Sequence, residues 1–413
     1  MVQDKSICIN ESLTKMVKSS GVNLSSSVLE NSIYNTGNRA AIANVIRKVL
    51  RGETITICGF GGSITEGMGY QDIPSIESGI VYSLPQMNYF DHICSFWENQ
   101  FPGKIAKINA GIGATDTVLA VHRMNDDVLK YNPDLVILEW CCNDGKEMLY
   151  KQATYESMVR KFLEAGTALI ILSMATQNGN SSQILHEPIA DWYGVPMVSY
   201  RDAYMGLKEY EYLTNDGVHP NCVGHALAGI IVNHYIADVY NNLDQINDCV
   251  SACKKDVYCE ESAYYEGSRI ITLEDIYNGK VSDARIIELG SFGMDDKMMS
   301  FGFRKYYGFT AYYSEKYEPM IIELDICKTL FLQIYRNTVF DGTNFKVEVN
   351  DVKIESRTFT CKHGGDNEQI EWDYHWATER LCYNPEPQKV VLKIYPDFTN
   401  KAACVKLFGL LIS

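Results

Sequence analysis

Apolar residues in the first half of the chain follow two alternating patterns. After Asn38 they recur every three to four positions, which predicts an amphipathic helix that Asn38 caps and that ends before Gly52. Short continuous apolar runs then alternate with further helix-like segments. The predicted strands are residues 54–60, 105–112, 134–142, 167–174 and 196–200, and the later predicted helices are residues 84–100, 116–130, 155–165, 181–193 and 221–240. Such alternation indicates a parallel sheet covered by helices on both faces.

The pattern changes after the last of these helices. Residues 244–261 are polar and dotted with cysteines, which predicts a domain boundary. Beyond them come short runs rich in β-branched and aromatic residues, separated by turn signals such as Asp341-Gly342. We therefore predict an α/β domain over residues 1–243 and an antiparallel, jelly-roll-like β-sandwich over residues 244–413.

Composition and charge narrow the range of partners. The 413 residues include 37 Lys and Arg against 52 Asp and Glu, a formal net charge of −15. A general binder of nucleic acid or anionic membranes needs a basic surface, so neither partner is expected, whereas a neutral sugar suits this balance. Because no run approaches about 18 apolar residues, no membrane span is predicted.

Cysteine usage bears on the compartment and on metals. The 13 cysteines are scattered, and several fall inside apolar runs where a thiol behaves as a small hydrophobe. Since no apolar stretch of signal-peptide length follows Met1, we predict a cytoplasmic protein. Cys249, Cys253 and Cys259 lack the paired spacing and the nearby histidine of a zinc site, so no metal site is predicted.

Polar residues follow the predicted strands at the edge where a parallel sheet places its sites. Ser63 follows the glycines after the first strand, Asn143 follows the third strand, and Asp216 and His219 precede the last helix. Each alone has an ordinary interpretation as a helix cap, a loop hydrogen bond or a structural histidine. The Asp-x-x-His spacing, however, lets a carboxylate reach and orient the imidazole. The ordinary interpretations do not predict that all four elements share one edge.

The order of these elements resembles the SGNH, or GDSL-like, hydrolase superfamily over residues 53–240. The resemblance implies a flavodoxin-like three-layer α/β/α fold. It implies that Ser63 is the nucleophile, that His219 is its general base, and that Asp216 orients His219. It further implies an oxyanion hole that includes the Ser63 N–H and the side-chain amide of Asn143.

Two departures from the family pattern accompany the resemblance. The motif here is Gly-Gly-Ser-Ile-Thr rather than Gly-Asp-Ser, a variant present in part of the superfamily, so the nucleophile assignment stands. Ala114 occupies the position of the glycine whose N–H is the second backbone donor. An alanine still donates there if its φ is negative, and Gly113 is the residue that would share or replace the role.

Three further side chains lie close to these strand ends. Glu66 and Tyr70 follow the nucleophile and either line a pocket or occupy a solvated loop. Glu139 lies inside a predicted buried strand and is expected to make a structural hydrogen bond. We assign a catalytic role to none of the three.

The region around the nucleophile resembles one branch of the superfamily more closely. Residues 51–56 and the Gly-Gly-Ser-Ile-Thr motif are similar to bacterial carbohydrate esterases that remove O-acetyl groups, some of which carry a β-sandwich resembling a carbohydrate-binding module. The resemblance implies an acetylated oligosaccharide substrate and no cofactor. Trp372, Tyr374 and Trp376 fall in a predicted loop, where aromatic rings either stack on sugars or anchor the sandwich core.

Other activities are compatible with the same residues. We predict first a serine esterase with an acyl-enzyme intermediate, and as alternatives a lipase, thioesterase or aryl esterase of the same superfamily. An acyltransferase would use the same acyl-enzyme with a sugar hydroxyl as acceptor. A non-catalytic carbohydrate-binding protein would have lost part of the set Ser63, Asn143, Asp216 and His219, which is intact. The sugar, the acetyl position and the formation of a homo-oligomer stay open.

Overall fold

The computed structural model divides into two packed units. It describes residues 11–18, 24–73, 86–145, 149–205, 207–249, 256–337, 343–356, 359, 373–399, 401 and 403–413. The first unit comprises Met1–Thr117 with Asp126–Ser262, and the second comprises Val118–Asn125 with Ala263–Ser413. These units are defined by packing, so the separation of two domains at residue 243 stays a prediction.

The first unit is built on a six-stranded sheet. Its strands are β1 (Ile33–Asn35), β2 (Ile55–Gly61), β3 (Ile105–Asn109), β4 (Leu135–Glu139), β5 (Ala168–Ser173) and β6 (Met197–Ser199). They lie in the order β1-β6-β5-β4-β2-β3, and every neighbouring pair except β1 with β6 is parallel. The strand order reverses direction at β2, which lies between β3 and β4. Ligands of open α/β sheets bind beyond the carboxyl end of such a switch point.

Helices alternate with these strands along the chain. They are α1 (residues 11–18), α2 (Ser26–Asn31), α3 (Arg39–Leu50), α4 (Ser63–Glu66), α5 (Tyr89–Gln100), α6 (Thr117–Asp127), α7 (Leu149–Glu164), α8 (Gln183–Tyr193), α9 (Tyr200–Tyr204) and α10 (Cys222–Asn241). Every residue of β4 and β5 is buried, which explains their unbroken apolar runs and confirms the predicted α/β class. Helix α10 is long and apolar enough to cross a membrane, but 89% of its most apolar window is buried, as in a core helix.

Side-chain hydrogen bonds set several element boundaries. Asn38 Oδ1 accepts the Ala40 N–H at 3.1 Å, so the predicted cap of α3 is confirmed. Strand β3 ends at Asn109 rather than at the predicted residue 112, because Asn109 Oδ1 accepts the N–H of Gly111 at 2.9 Å and turns the chain. The chain thus leaves the sheet early and forms the segment that later borders the site.

The second unit is an antiparallel β-structure of ten strands. The strands are β7 (Arg269–Thr272), β8 (Ala284–Glu288), β9 (Gly293–Phe301), β10 (Arg304–Tyr312), β11 (Met320–Asn337), β12 (Thr343–Val349), β13 (Val352–Ile354), β14 (Asp373–Ala377), β15 (Cys382–Phe398) and β16 (Cys404–Ile412), and helix α11 is Leu273–Tyr277. The first part of β11 pairs with β8 and β15, and its later part pairs with β14 and β16. This long strand therefore pairs with four other strands, and the apolar core of the unit includes Leu324 and Leu332.

The aromatic cluster differs from its predicted loop. From Asp373 onward the chain is strand β14, in which Trp376 pairs with Ile334 of β11. Aromatic side chains suit a pleated, half-buried surface, so pairing with a long neighbouring strand prevails over the polar sequence context. The loop prediction is wrong for residues 373–376, and Trp372 lies outside the described residues.

Candidate active site

Ser63 lies at the sharp turn between β2 and α4. The strand ends at Gly61, Gly62 makes the link, and Ser63 opens the helix with 8% of its surface exposed. A Cβ atom on Gly62 would lie 2.5 Å from Asn143 Oδ1. The glycine therefore lets the Asn143 amide approach the backbone directly before the predicted nucleophile.

His219 and Asp216 complete a hydrogen-bonded chain to Ser63. His219 Nε2 lies 2.9 Å from Ser63 Oγ, and His219 Nδ1 lies 2.6 Å from Asp216 Oδ2. The other carboxylate oxygen, Oδ1, accepts the N–H groups of Val218 at 2.8 Å and His219 at 2.7 Å. Because an ionised carboxylate only accepts, Nδ1 carries the proton and Nε2 is placed to accept the hydroxyl proton of Ser63.

The partners of Asp216 keep it ionised. Partial burial acts to raise the pKa of this carboxyl, but hydrogen bonds from the His219 ring and from the His219 and Val218 N–H groups hold the pKa well below its usual range. An ionised Asp216 stabilises the imidazolium that forms when His219 takes a proton. The pair lies near solvent, since the Asp216 side chain is 53% exposed and that of His219 is 16% exposed.

The segment that follows β3, which includes Gly113 and Ala114, also lies close to Ser63. A Cβ atom on Gly113 would lie 3.6 Å from Ser63 Cβ, so this segment comes close to the serine. Asn109 Nδ2 donates to the carbonyl oxygen of Thr65 at 2.7 Å. This bond fixes the segment to helix α4, which carries Ser63.

The two predicted backbone donors of this segment differ. The Gly113 N–H donates to Glu66 Oε2 at 2.8 Å, so the Glu66 carboxylate already occupies it. The Ala114 N–H has no acceptor among the described residues, as an oxyanion donor requires. The φ of Ala114 is +55°, so the condition of a negative φ is not met. Alanine here adopts the left-handed conformation that glycine favours, which strains the backbone without removing its N–H group.

Glu139 supports helix α4 from inside the sheet. It is fully buried, and Thr65 Oγ1 donates to its Oε2 at 3.2 Å, so the expected structural hydrogen bond is confirmed. Burial raises the pKa of Glu139 to about 7, although the bond from Thr65 acts to lower it. This carboxyl contacts the nucleophile helix rather than the nucleophile.

A second Asp–His pair, which the sequence did not predict, includes Asp144, the residue after Asn143. Asp144 Oδ2 lies 3.1 Å from His186 Nε2, and His186 Nδ1 lies 3.2 Å from Cys141 Sγ. The side chains of Asp144 and His186 are 0% and 1% exposed. Asp144 lies five positions after the end of β4, and a buried carboxylate needs a partner. That partner is 42 positions away, so no local pattern identifies it.

The predicted sugar-binding aromatics lie in the second unit. Trp376 is partly buried against the sandwich core, and the Arg336 guanidinium carbon lies 4.7 Å from its ring centroid. Tyr374 belongs to β14, but its side chain, like all of Trp372, lies outside what the structure describes. A contact between these residues and a sugar stays a prediction.

Residues 60–227 match the sequence profile of the GDSL-like Lipase/Acylhydrolase family. The resemblance to the GDSL-like hydrolases is confirmed. The matched range contains Ser63, Asn143, Asp216 and His219, and thus the whole hydrogen-bonded chain described above. The match and this geometry together indicate a carboxylic ester hydrolase whose residues 60–227 are similar to the GDSL-like family.

Two solved structures of a two-domain esterase (CEX) active on acetylated mannans have the same fold. One has a TM-score of 0.74 and 22% sequence identity, and the alignment covers 93% of this chain and 98% of that chain. The other was co-crystallised with mannopentaose and has a TM-score of 0.72, 22% identity, and 93% and 97% coverage. The α/β unit and the β-sandwich therefore occur together in both proteins. No curated protein sequence matches this chain.

Proposed function

We propose that this protein is a serine esterase that removes O-acetyl groups from oligosaccharides through an acyl-enzyme intermediate. The observation that carries the proposal is the chain from Ser63 Oγ through the His219 ring to Asp216, with distances of 2.9 and 2.6 Å. The chain lies at the switch point of the sheet. The likeness to an esterase active on acetylated mannans supports acetylated mannan oligosaccharides as the first substrates to test.

Acylation begins when Ser63 Oγ attacks the carbonyl carbon of the acetyl group. The Ser63 proton passes to His219 Nε2, and negative charge develops on the former carbonyl oxygen. The N–H groups of Ser63 and Ala114 and the Asn143 amide are the proposed donors to that oxyanion. The imidazolium then gives its proton to the sugar oxygen as the ester C–O bond breaks, which leaves the acetyl group on Ser63.

Deacylation repeats these steps with water as the nucleophile. His219 Nε2 takes a proton from water while the water oxygen attacks the acyl carbon, and collapse of the second intermediate returns the proton to Ser63 Oγ. Acetate leaves and the enzyme is restored. Asp216 remains ionised throughout and stabilises each transient imidazolium.

Substitution of the nucleophile tests the proposal. We expect Ser63→Ala to lower kcat/KM on an aryl acetate and on acetylated manno-oligosaccharides by at least about 10³-fold. The unfolding temperature should stay close to that of the wild type, because the change removes one hydroxyl group at the site. Ser157→Ala is a matched control, since Ser157 is a buried serine on α7, and it should retain activity.

Product analysis completes the test. Acetate release from the oligosaccharides, followed by NMR with and without a sugar acceptor, separates hydrolysis from acetyl transfer. Wild-type rates in Ser63→Ala would overturn the nucleophile assignment. Hydrolysis of the aryl acetate without release from any acetylated oligosaccharide would overturn the substrate class.

A further inference from the structure

The buried carboxylate of Asp144 connects the two segments that carry the proposed oxyanion donors. Asp144 directly follows Asn143, the amide donor. Its Oδ1 accepts both the N–H of Thr117 at 3.1 Å and the hydroxyl of Thr117 at 3.0 Å. Thr117 is the first residue of α6 and comes three positions after Ala114, in the segment that follows β3. We propose that Asp144, held by His186, is a positioning residue that fixes the geometry of the oxyanion hole, an inference that rests on the proposed esterase function.

Burial makes this connection rigid. The side chains of Asp144 and His186 are 0% and 1% exposed, so water cannot replace a lost partner. Their mutual distance is 3.1 Å, and the His186 ring stacks on Tyr155 with centroids 3.7 Å apart and an interplanar angle of 5°. A buried charge that loses its partner costs several kcal/mol, so the pair strongly favours one arrangement.

Backbone contacts extend the same anchoring to the turn that carries Asn143. The N–H of Asn143 donates to the carbonyl of Trp140 at 3.0 Å, and the hydroxyl of Ser182 donates to the carbonyl of Asp144. The N–H of Ser182 donates to the carbonyl of Cys141 at 2.7 Å. The turn is therefore bound on both sides of Asn143, and its amide has little freedom to move relative to Gly62.

The charge state supports an ion pair. Burial acts to lower the pKa of His186, but the neighbouring Cys141 and Asp144 raise it to about 9, so the ring is protonated at neutral pH. Protonated imidazole donates from both nitrogens, which matches Asp144 on one side and Cys141 on the other. The same three residues do not form a second nucleophilic site, because Cys141 is only 1% exposed and no substrate reaches it.

The functional consequence follows from the precision that an oxyanion hole requires. One donor contributes about 10²–10³ in rate, and a displacement of about 1 Å is enough to lose about 10²-fold. Because the oxyanion exists only after attack, misplaced donors lower kcat and leave KM unchanged. Asp144 acts on both donor segments at once and touches no substrate.

The test uses the isosteric change Asp144→Asn in the full chain. We expect kcat for an aryl acetate to fall by about 10–100-fold with KM within about twofold of wild type. Asn143→Ala alone should cost about 10²–10³ in kcat. If Asp144 acts through Asn143, the double variant loses clearly less than the product of the two single effects. Independent, multiplicative losses would overturn the proposal.

A matched control separates positioning from general destabilisation. Glu156 is also fully buried, and its carboxylate accepts from Tyr193 Oη at 2.6 Å and from the Cys259 N–H at 2.7 Å. Glu156→Gln should lower the unfolding temperature but leave kcat unchanged. If Asp144→Asn lowered the unfolding temperature and kept wild-type kcat, Asp144 would be a structural residue only.

If Asp144→Asn does not fold, two milder variants at Thr117 test the same proposal. Thr117→Val removes the hydroxyl donor and should lower kcat by about 3–10-fold at unchanged KM, whereas Thr117→Ser keeps the donor and should restore it. Equal kcat in both variants would overturn the proposal.

Labelling of Ser63 by a fluorophosphonate gives a readout that is independent of acetyl esters, since its phosphoryl oxygen also occupies the oxyanion hole. Wild-type labelling without ester hydrolysis would refute the proposed function alone. Labelling that is equally fast in wild type and Asp144→Asn would refute the positioning role alone.

Discussion

Two Asp–His pairs in the first unit place the same groups in opposite surroundings. Asp216 and His219 lie near solvent, with side chains 53% and 16% exposed. The distance between Asp216 Oδ2 and His219 Nδ1 is 2.6 Å. Asp144 and His186 are 0% and 1% exposed, with a separation of 3.1 Å. The first pair spans three positions of the chain and the second spans 42.

Exposure determines what each pair can do. His219 contacts Ser63 and lies near water, so it can gain and lose a proton in each catalytic cycle. Although burial alone would lower the pKa of His186, Cys141 and Asp144 raise it to about 9, and the residue stays charged during the cycle. The comparison teaches that proton transfer needs the accessible pair, whereas fixed geometry is better served by the buried pair.

The largest expected stability effect comes from the buried histidine. His186→Asn leaves the Asp144 carboxylate in the interior without its cation, so the free energy of unfolding should fall by about 3–5 kcal/mol. Denaturant unfolding followed by fluorescence or circular dichroism measures this change.

The exposed histidine provides the matched comparison. His219→Asn should change the free energy of unfolding by less than about 1 kcal/mol, because solvent screens an accessible pair. It should nevertheless remove ester hydrolysis, since His219 is the proposed acceptor of the Ser63 proton. Equal loss of stability in the two variants would contradict the contrast between the pairs.

The pH dependence of stability sharpens the comparison. The pKa of His186 rises from 6.5 to about 9 on folding, so the folded state holds more protons between these values. The stabilisation that protonated His186 gives to the folded state is complete below pH 6.5 and is lost as pH rises through about 9. Unfolding free energy should therefore fall between pH 7 and 9 by at most about 1.4 kcal/mol per pH unit, and the fall should be absent in His186→Asn.

The groups around His186 define the pH window for this measurement. Asp144, Cys141 and Tyr155 face the ring, and Glu139 is a further nearby carboxyl whose pKa burial raises from 4.5 to about 7. Ionisation of buried Glu139 lowers stability between pH 4.5 and 7, so the window from pH 7 to 9 lies above its titration, and the difference between wild type and His186→Asn in that window reports the histidine. Parallel stability curves for wild type and His186→Asn would show that His186 does not titrate there.

The sequence predicted the parts of the site that local pattern controls. Ser63 and Asn143 follow strands whose apolar runs are unmistakable, and Asp216 and His219 are three positions apart in the chain. The same runs predicted the α/β fold, because a strand buried on both faces needs apolar residues at every position.

The remaining features depend on tertiary packing. The partner of Asp144 comes from α8, and nothing near His186 in the chain marks it as the cation of a buried pair. The φ of Ala114 is set by the contacts of its segment rather than by its residue type. Trp376 belongs to a strand only because β11 extends far enough to pair with it. Patterns of polar and apolar residues do not contain this information.

The smallest expected effect concerns Ala114, which lies in the segment that the buried pair anchors through Thr117. The left-handed φ of +55° costs an alanine about 1–2 kcal/mol, and a glycine avoids this strain. Glycine also increases the conformational entropy of the unfolded chain, which offsets part of the gain in stability. Ala114→Gly should therefore raise the free energy of unfolding by up to about 1 kcal/mol and leave kcat within about threefold, because the N–H donor remains.

The effect of Ala114→Gly can be compared in wild type, in His186→Asn and in His219→Asn, which tests whether the buried pair holds Ala114 in its strained conformation. In His186→Asn the anchor is weakened and the segment can relax, so the same Ala114→Gly change should stabilise less than it does in the wild type. In His219→Asn the anchor is intact, and the full gain should persist. A gain of equal size in all three backgrounds would show that Ala114 is held in its left-handed conformation by contacts other than those of the buried pair.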